Sequence, residues 1–499
     1  MHSAIYLIML EKIESMISMA KEIADVIRSY PGKIHLVSHY DCDGITSAAI
    51  ITKALFREGK DFRVSFVKQL KEDMIKGMSN DEEKLIIFTD LGSGYLDVIS
   101  KHLLSEERKI IIADHHQTEG DDKNNNLLHI NSMKFGMEEN VSGAGVAYMI
   151  ARSLNPENID LSALAVIGAI GDSQIGSIGS SWGLMGLNKE ILKDAENSKK
   201  IKVMNGLRIW GRYTRPLHKA LEYSVDPYIP GVSESESGAV QFLQELGIEL
   251  KDEKGMWRTL ASMSEEESKK LASGIIKERI RSDEENPDFI FGDIYELLDK
   301  NGEFRDANEF ATMLNSCGKL GKAYLGIALC INDKKAFEEV KPVFEKYRRS
   351  IGKALSWIES NQKVIKRGEN VTWIMPGNKI SEHIISNVAS IMHRSGMLPE
   401  NKPVFAMADT ENGDVKISAR ASDSLVENGM NLKDIIREAI RDSSGDGGGH
   451  AGASGATISK QDEEMFINNI EHNLRRYYEE TDRKPAGEES RKEGRKENR

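Results

Sequence analysis

The sequence predicts an α/β protein: a parallel-sheet domain, a largely helical middle region and a smaller C-terminal α/β domain. Three observations carry this expectation. From residue 33 to about 187, short apolar runs alternate with stretches of helical length, the mark of a parallel sheet covered on both faces. Between 190 and 340 charged helical pieces dominate, interrupted by the breaker Asp226-Pro227-Tyr228-Ile229-Pro230-Gly231. From Asn370 a second strand–helix pattern begins, in which Asn412-Gly413 between two alternating runs predicts a β-hairpin.

The elements follow in order. An amphipathic helix is expected over 9–29. Residues 34–38, 62–67, 85–89, 110–113 and 127–131 read as strands, and 45–57, 95–104, 143–154 and 161–170 as helices. Residues 265–281, 307–314 and 336–364 are charged helical stretches. The last domain reads as a strand at 371–375, a helix at 382–393, hairpin strands at 404–409 and 415–420, a strand at 454–458 and a helix at 463–478. The expected organisation is an N-terminal helix (1–30), a first domain (31–190), a middle region with linker helix (191–365), a C-terminal domain (366–480) and a polar, disordered tail (481–499).

With 499 residues the chain can bury several cores, and its 39% hydrophobic and 29% charged residues are ordinary for a globular protein. A net charge of −12 excludes a generally basic coat for nucleic acid, though not a local basic channel. Cys42, Cys317 and Cys330 have no paired spacing, which argues against a disulfide framework or zinc finger and for a reducing, cytoplasmic setting. The apolar start, 4–10, is short, lacks a basic leader and is interrupted by Glu11-Lys12, so no signal peptide is expected; Met9 is an alternative start. No segment is long enough to span a bilayer.

Three strand ends carry the chemistry: His39-Tyr40-Asp41-Cys42-Asp43-Gly44, Thr89-Asp90-Leu91-Gly92 and Asp114-His115-His116. Ends of parallel strands converge on one crevice. On an extended backbone the alternation of His39, Asp41 and Asp43 would send all three toward one site. Crowded carboxylates repel one another unless cations neutralise them, and oxygen ligands mixed with imidazole suit Mn²⁺ or Mg²⁺. Each motif also has a plainer reading: a DxDG turn, an Asp90 helix N-cap, satisfied polar groups at a strand end. Asp172 follows an apolar helix, where an anion is unfavourable and a cation welcome. Ser142-Gly143-Ala144-Gly145 could present N–H groups to an anion or simply cap its helix. Gly447-Gly448-Gly449 and His450 could approach a phosphate closely or form a flexible loop.

Together HxDxDG, TDLG and DHH, with Ala165-Val166-Ile167-Gly168-Ala169-Ile170-Gly171-Asp172 downstream, resemble the DHH phosphoesterase superfamily; GGGH resembles its associated substrate-binding domain. Within it the chain looks most like the archaeal RecJ-like exonucleases, through Asp306-Ala307-Asn308-Glu309-Phe310-Ala311 leading to Asn315-Ser316-Cys317-Gly318, and Pro230-Gly231 before Gly238-Ala239-Val240-Gln241-Phe242-Leu243. The resemblance implies two Mn²⁺ or Mg²⁺ ions. Asp41, Asp90 and His39 would hold one; Asp43, Asp90, His115 and Asp172 the other, with Asp90 bridging. Asp114 would orient a ligand and His116 would contact the scissile phosphate. Arg420 and Ser418 fall where the family grips phosphate, beside Gly447, Gly448, Gly449 and His450.

The implied activity is two-metal hydrolysis of single-stranded DNA or RNA from an end, in replication or repair, with GINS-type replication proteins as partners. Alternatives are a phosphodiesterase for very short RNA or cyclic dinucleotides, and a noncatalytic replisome scaffold.

Overall fold

The computed structural model describes residues 2–482, except 138–140, 179–180, 225, 285, 395–397, 400 and 444; of the expected tail, residues 483–499 lie outside the described residues. The chain divides into two compact units, residues 1–344 and 345–499.

The first unit is built on a five-stranded, wholly parallel sheet of β1 (Ile34–His39), β2 (Phe62–Val67), β3 (Leu85–Thr89), β4 (Lys109–Asp114) and β5 (Leu127–Asn131), in the order β2-β1-β3-β4-β5. The edge strand β2 alternates and is half-buried, whereas the inner strands β3 and β4 read as near-continuous apolar runs because both their faces are covered. Alternation divides them between two cores. Leu85 and Ile87 of β3 pack with the helices His2–Ser29, Cys42–Arg57 and Gly143–Leu154. Ile86 and Phe88 pack with Ile75, Leu96 and Ile99 of the helices Glu72–Met78 and Leu96–Leu103. The helix Ser162–Gly171 is buried along nearly its whole length, which explains its uniformly small or apolar sequence.

Beyond that helix the chain is largely helical, as expected, with an addition no local pattern signalled. β6 (Ile175–Ile178), β7 (Ser181–Leu184), β8 (Ile201–Leu207) and β9 (Phe291–Leu297) form a second sheet, ordered β6-β7-β9-β8. β8 and β9 are antiparallel neighbours from Ile201↔Leu297 to Leu207↔Phe291. Residues 208–290 therefore leave the sheet and return to it. They contribute the helices Leu217–Glu222, Glu236–Glu245 and Glu265–Arg281 around a separate core that includes Leu221, Leu243 and Ile275.

In the second unit β10 (Ile365–Arg367), β11 (Thr372–Gly377), β12 (Val404–Asp409), β13 (Asp414–Arg420), β14 (Asp446–Gly449) and β15 (Ala453–Ser459) form a mixed sheet ordered β10-β11-β12-β13-β15-β14. The hairpin β12–β13 turns at Gly413, whose φ of 85° suits glycine. The glycine run is a short edge strand, β14, paired with β15, rather than a loop. Gly449 is required there: its φ is 136°, and a Cβ would lie 2.5 Å from the Ala453 carbonyl oxygen.

Candidate metal centre

The site lies at the C-terminal ends of β1, β3 and β4, and each strand delivers its group differently. His39 is the last residue of β1. Asp41 is the N-cap of the helix Cys42–Arg57, its Oδ1 accepting from Gly44 N–H at 3.0 Å, and Asp43 lies in the first helical turn. The expected alternation along an extended strand is thus corrected: a strand, a cap and a helical turn bring the three residues round, because the chain turns immediately after His39. Gly44 makes that turn possible, since a Cβ there would meet the His39 carbonyl oxygen at 2.2 Å.

Asp90 follows β3 with φ of 58°, a left-handed conformation that aspartate tolerates better than most residues. It is no helix cap: the short 3₁₀ turn that follows begins at Ser93 with Gly92 as its cap. Asp90 lies between two groups. His39 Nδ1 is 3.0 Å from Asp41 Oδ2 and 3.6 Å from Asp90 Oδ2. On the other side His115 Nε2 is 3.3 Å from Asp90 Oδ1, 3.6 Å from Asp43 Oδ2 and 3.7 Å from Asp172 Oδ2. One ligand atom each from His39, Asp41 and Asp90 falls within 4.8 Å of the others, as it does for Asp43, His115 and Asp172. Every predicted metal ligand is therefore in one of two clusters that meet at Asp90.

The electrostatics are those of a cation site. Burial and then the neighbouring charge of Asp90 push the Asp43 carboxyl well above the usual carboxylate range. Burial opposes charging of His115, yet the charges of Asp172, Asp43 and Asp90 raise its pKa well above that of an ordinary imidazole. Burial also opposes ionisation of Asp90, but the imidazoles of His115, His39 and His116 around it hold it low. Asp90 Oδ1 is buried and makes no hydrogen bond among the described residues, an expensive arrangement for a carboxylate oxygen. Oxygen-rich clusters with one imidazole each, and an acceptor left over at their junction, fit Mn²⁺ or Mg²⁺.

Asp43 is held by the helix Gly143–Leu154. Gly143 N–H and Ala144 N–H donate to its two oxygens at 2.6 and 2.9 Å, while Ser142 caps the helix by accepting from Gly145 N–H. Both readings of Ser142-Gly143-Ala144-Gly145 hold, and the anion is a side chain of the protein itself. Room for it comes from glycines. A Cβ on Gly143 would lie 2.7 Å from Asp90 Oδ1, and one on Gly168 would lie 2.5 Å from Asp43 Oδ1. Gln174, which the sequence did not single out, donates to Asp172 Oδ2 at 2.8 Å and is fixed by Asn188 at 2.7 Å.

Asp114 lies within 4.8 Å of Asp90, His115 and His116 but is committed elsewhere. It is fully buried and accepts from Ser93 N–H (2.9 Å), His115 N–H (2.8 Å), His116 N–H (3.2 Å) and His116 Nδ1–H (2.8 Å). His116 is about half exposed. A further acidic cluster, His35 with Asp81 and Glu83, already has its cation: Arg63 pairs with both carboxylates at 2.6 and 2.9 Å.

In the second unit the predicted substrate residues gather at one corner of the sheet. Ser418, Gly455 and Gly448 occupy neighbouring register positions on β13, β15 and β14. The Arg420 guanidinium is engaged rather than solvated, donating to Ser390 Oγ at 2.8 Å and Ser418 Oγ at 3.1 Å. His450 follows β14, its backbone N–H on the Ala453 carbonyl at 2.8 Å.

Comparison with known proteins agrees with this architecture. The DHH family N-terminal domain matches residues 33–171, the DHH-CID domain 209–288 and the DHHA1 domain 371–476. The uncharacterised protein MJ0831 of Methanocaldococcus jannaschii is 30% identical over 474 residues, covering 93% of this chain and 98% of that protein. The single-stranded-DNA-specific exonuclease RecJ of Thermus thermophilus is 24% identical over 212 residues, 40% of this chain and 30% of that one. Among solved structures, Mn²⁺-bound RecJ from Thermus thermophilus superposes with a TM-score of 0.55 at 15% identity, covering 92% of this chain and 55% of that one. CDC45 from Entamoeba histolytica superposes with a TM-score of 0.60 at 12% identity, covering 93% and 98%. The chain belongs to the DHH superfamily, whose members are phosphoesterases, and within it is RecJ-like.

Proposed function

We propose that this protein is a metal-dependent nuclease that removes nucleotides from an end of single-stranded DNA or RNA. The observation that carries this reading is the meeting of two ligand clusters at the buried, positive-φ Asp90. His39, Asp41 and Asp90 would hold one ion; Asp43, Asp90, His115 and Asp172 the other. Two bound divalent ions would supply water activation near neutral pH and neutralise charge on the phosphoryl oxygens. The chain's own residues do the rest. Gly143 and Ala144 fix the Asp43 carboxylate, Gln174 fixes Asp172, and Asp114 holds His116 through Nδ1, which would leave Nε2 to meet a phosphoryl or leaving oxygen. Arg420, Ser418, the N–H groups of Gly447–Gly449 and His450 would grip a nucleotide phosphate.

The likeness to CDC45 favours a second reading, a scaffold in a replication assembly that engages GINS-type proteins. Against an exclusively structural role stands the full set of carboxylates, which a scaffold has no reason to crowd together. A single assay separates the readings: purified protein with Mn²⁺ and end-labelled single strands, long and short, of DNA and RNA. Laddering of long strands, lost at least about 100-fold in Asp43→Ala or Asp90→Ala, supports the nuclease. Cleavage confined to di- to tetranucleotides supports a small-substrate phosphodiesterase instead. Inertness of the wild type, equal to that of both variants, supports the scaffold.

A further inference from the structure

Four polar side chains behind the centre belong to neither ligand cluster, yet they form one directed hydrogen-bond chain. Asp122 Oδ2 is 2.9 Å from His129 Nδ1 and also meets Lys134 Nζ. His129 Nε2 is 2.9 Å from Ser93 Oγ. Asn131 Nδ2 lies 2.7 Å from the same Oγ and 2.8 Å from the backbone carbonyl oxygen of His116. The backbone N–H of Ser93 donates to Asp114 Oδ2 at 2.9 Å.

Donor chemistry fixes every direction in this chain. A carboxylate can only accept, so His129 carries its proton on Nδ1. Burial holds that imidazole below its ordinary pKa, so the ring is neutral and Nε2 accepts the Ser93 hydroxyl proton. The Ser93 oxygen is then open to Asn131. The Asn131 amide is itself oriented, because its Oδ1 accepts from Met133 N–H at 2.8 Å. Ser93 and Asn131 are fully buried and His129 nearly so, so each bond lost leaves a polar group without water to replace its partner.

The chain ends on His116, which is thereby held at three points. Its ring Nδ1 and backbone N–H are on Asp114 Oδ1, and its carbonyl is on Asn131. We infer that Asn131 and Ser93, backed by His129 and Asp122, are positioning residues that aim His116 Nε2 at the reacting phosphate. This rests on the hydrolase reading of the same centre. None of the four is among the ligand clusters; they reach the centre through Asp114 and the His116 carbonyl.

The test is a double-mutant cycle on the full chain at saturating Mn²⁺ with an end-labelled single strand. Asn131→Ala should lower kcat about 10- to 100-fold, with KM changed by no more than about twofold. In a His116→Ala background the same change should cost nothing further. Ser93→Ala keeps the backbone donor and removes only the hydroxyl; it should show a smaller loss of the same kind, restored in Ser93→Thr, and serves where Asn131→Ala fails to fold. Additive losses, or a fall in calorimetric Mn²⁺ affinity in Asn131→Ala, would overturn the proposal by placing the network behind the fold or behind His115. If the wild type hydrolyses no phosphodiester, the hydrolase reading fails by itself and NMR decides the positioning. A downfield Nδ1–H resonance of His116 that weakens in Asn131→Ala supports it; an unchanged resonance sinks it.

Discussion

Asp43 illustrates how a residue's neighbours decide its chemistry. It is buried, faces Asp90, and is held by two backbone N–H groups from a helix a hundred residues away. Its presence in DxDG was legible, because a carboxylate four residues past a strand end, in a motif that opens a helix, is visible locally. The N–H groups that hold it, and Gln174 behind Asp172, were not, since nothing in the sequence couples positions so far apart. The glycines are the sharpest test of this packing. Gly168→Ala should destabilise the first unit by about 1–3 kcal/mol in thermal unfolding, although alanine favours helices, because its Cβ would lie 2.4 Å from Ala144 Cβ. Glu309 gives a pH signature away from the centre. Burial, then the charge of Asp306, pushes its carboxyl up to about 7. The folded state therefore keeps a proton that the unfolded chain has lost above the ordinary glutamate value. Stability from this group is fully present below that value and declines as pH rises through about 7. Urea unfolding at pH 5 and pH 8 should show Glu309→Gln removing up to about 3 kcal/mol of that decline.

Elements differ in how far their sequence foretold them. The strands of the parallel sheet and the helix Gly143–Leu154 follow from apolar runs and from Ser142 as a cap, all within a few residues. β8 and β9 are different: Lys202, Asn205, Asp293 and Glu296 dilute their apolar pattern, and each is a strand because it pairs with the other across some ninety residues. The helix Ala307–Lys319 shows why that region matters to the site. Its Glu309 accepts from Tyr213 N–H at 2.9 Å, and its Asn315 accepts from Cys42 N–H, inside the HxDxDG turn, at 2.9 Å. β14 is the element where reading and structure part most usefully, since an edge strand offers an ordered row of N–H groups where a loop would offer a mobile one. Gly449→Ala would introduce backbone strain of about 1–3 kcal/mol there. Oligonucleotide KM should rise roughly tenfold while calorimetric Mn²⁺ affinity stays that of wild type, and an unchanged KM would remove β14 from substrate binding.

For the whole molecule, the proposed metal centre should couple stability to metal. An ion that binds only the folded state should raise the unfolding free energy by about 2.7 kcal/mol at a hundred times its dissociation constant. Scanning calorimetry should therefore show one transition moving up with Mn²⁺ in the wild type. Asp90→Asn, which keeps the left-handed backbone within reach of its side chain type, should show no such shift. The sequence by itself determined the fold class, the two α/β patterns and the identity of the carboxylates and imidazoles, because periodicity and strand-end chemistry are local. The tertiary structure decided how those groups become a centre. It placed Asp90 between the two clusters and set helix N–H groups on Asp43. It turned GGG into a strand and ran a hydrogen-bond chain from Asp122 to His116. Each depends on contacts between residues far apart in the chain, whose distances are set only when the sheet and its helices pack.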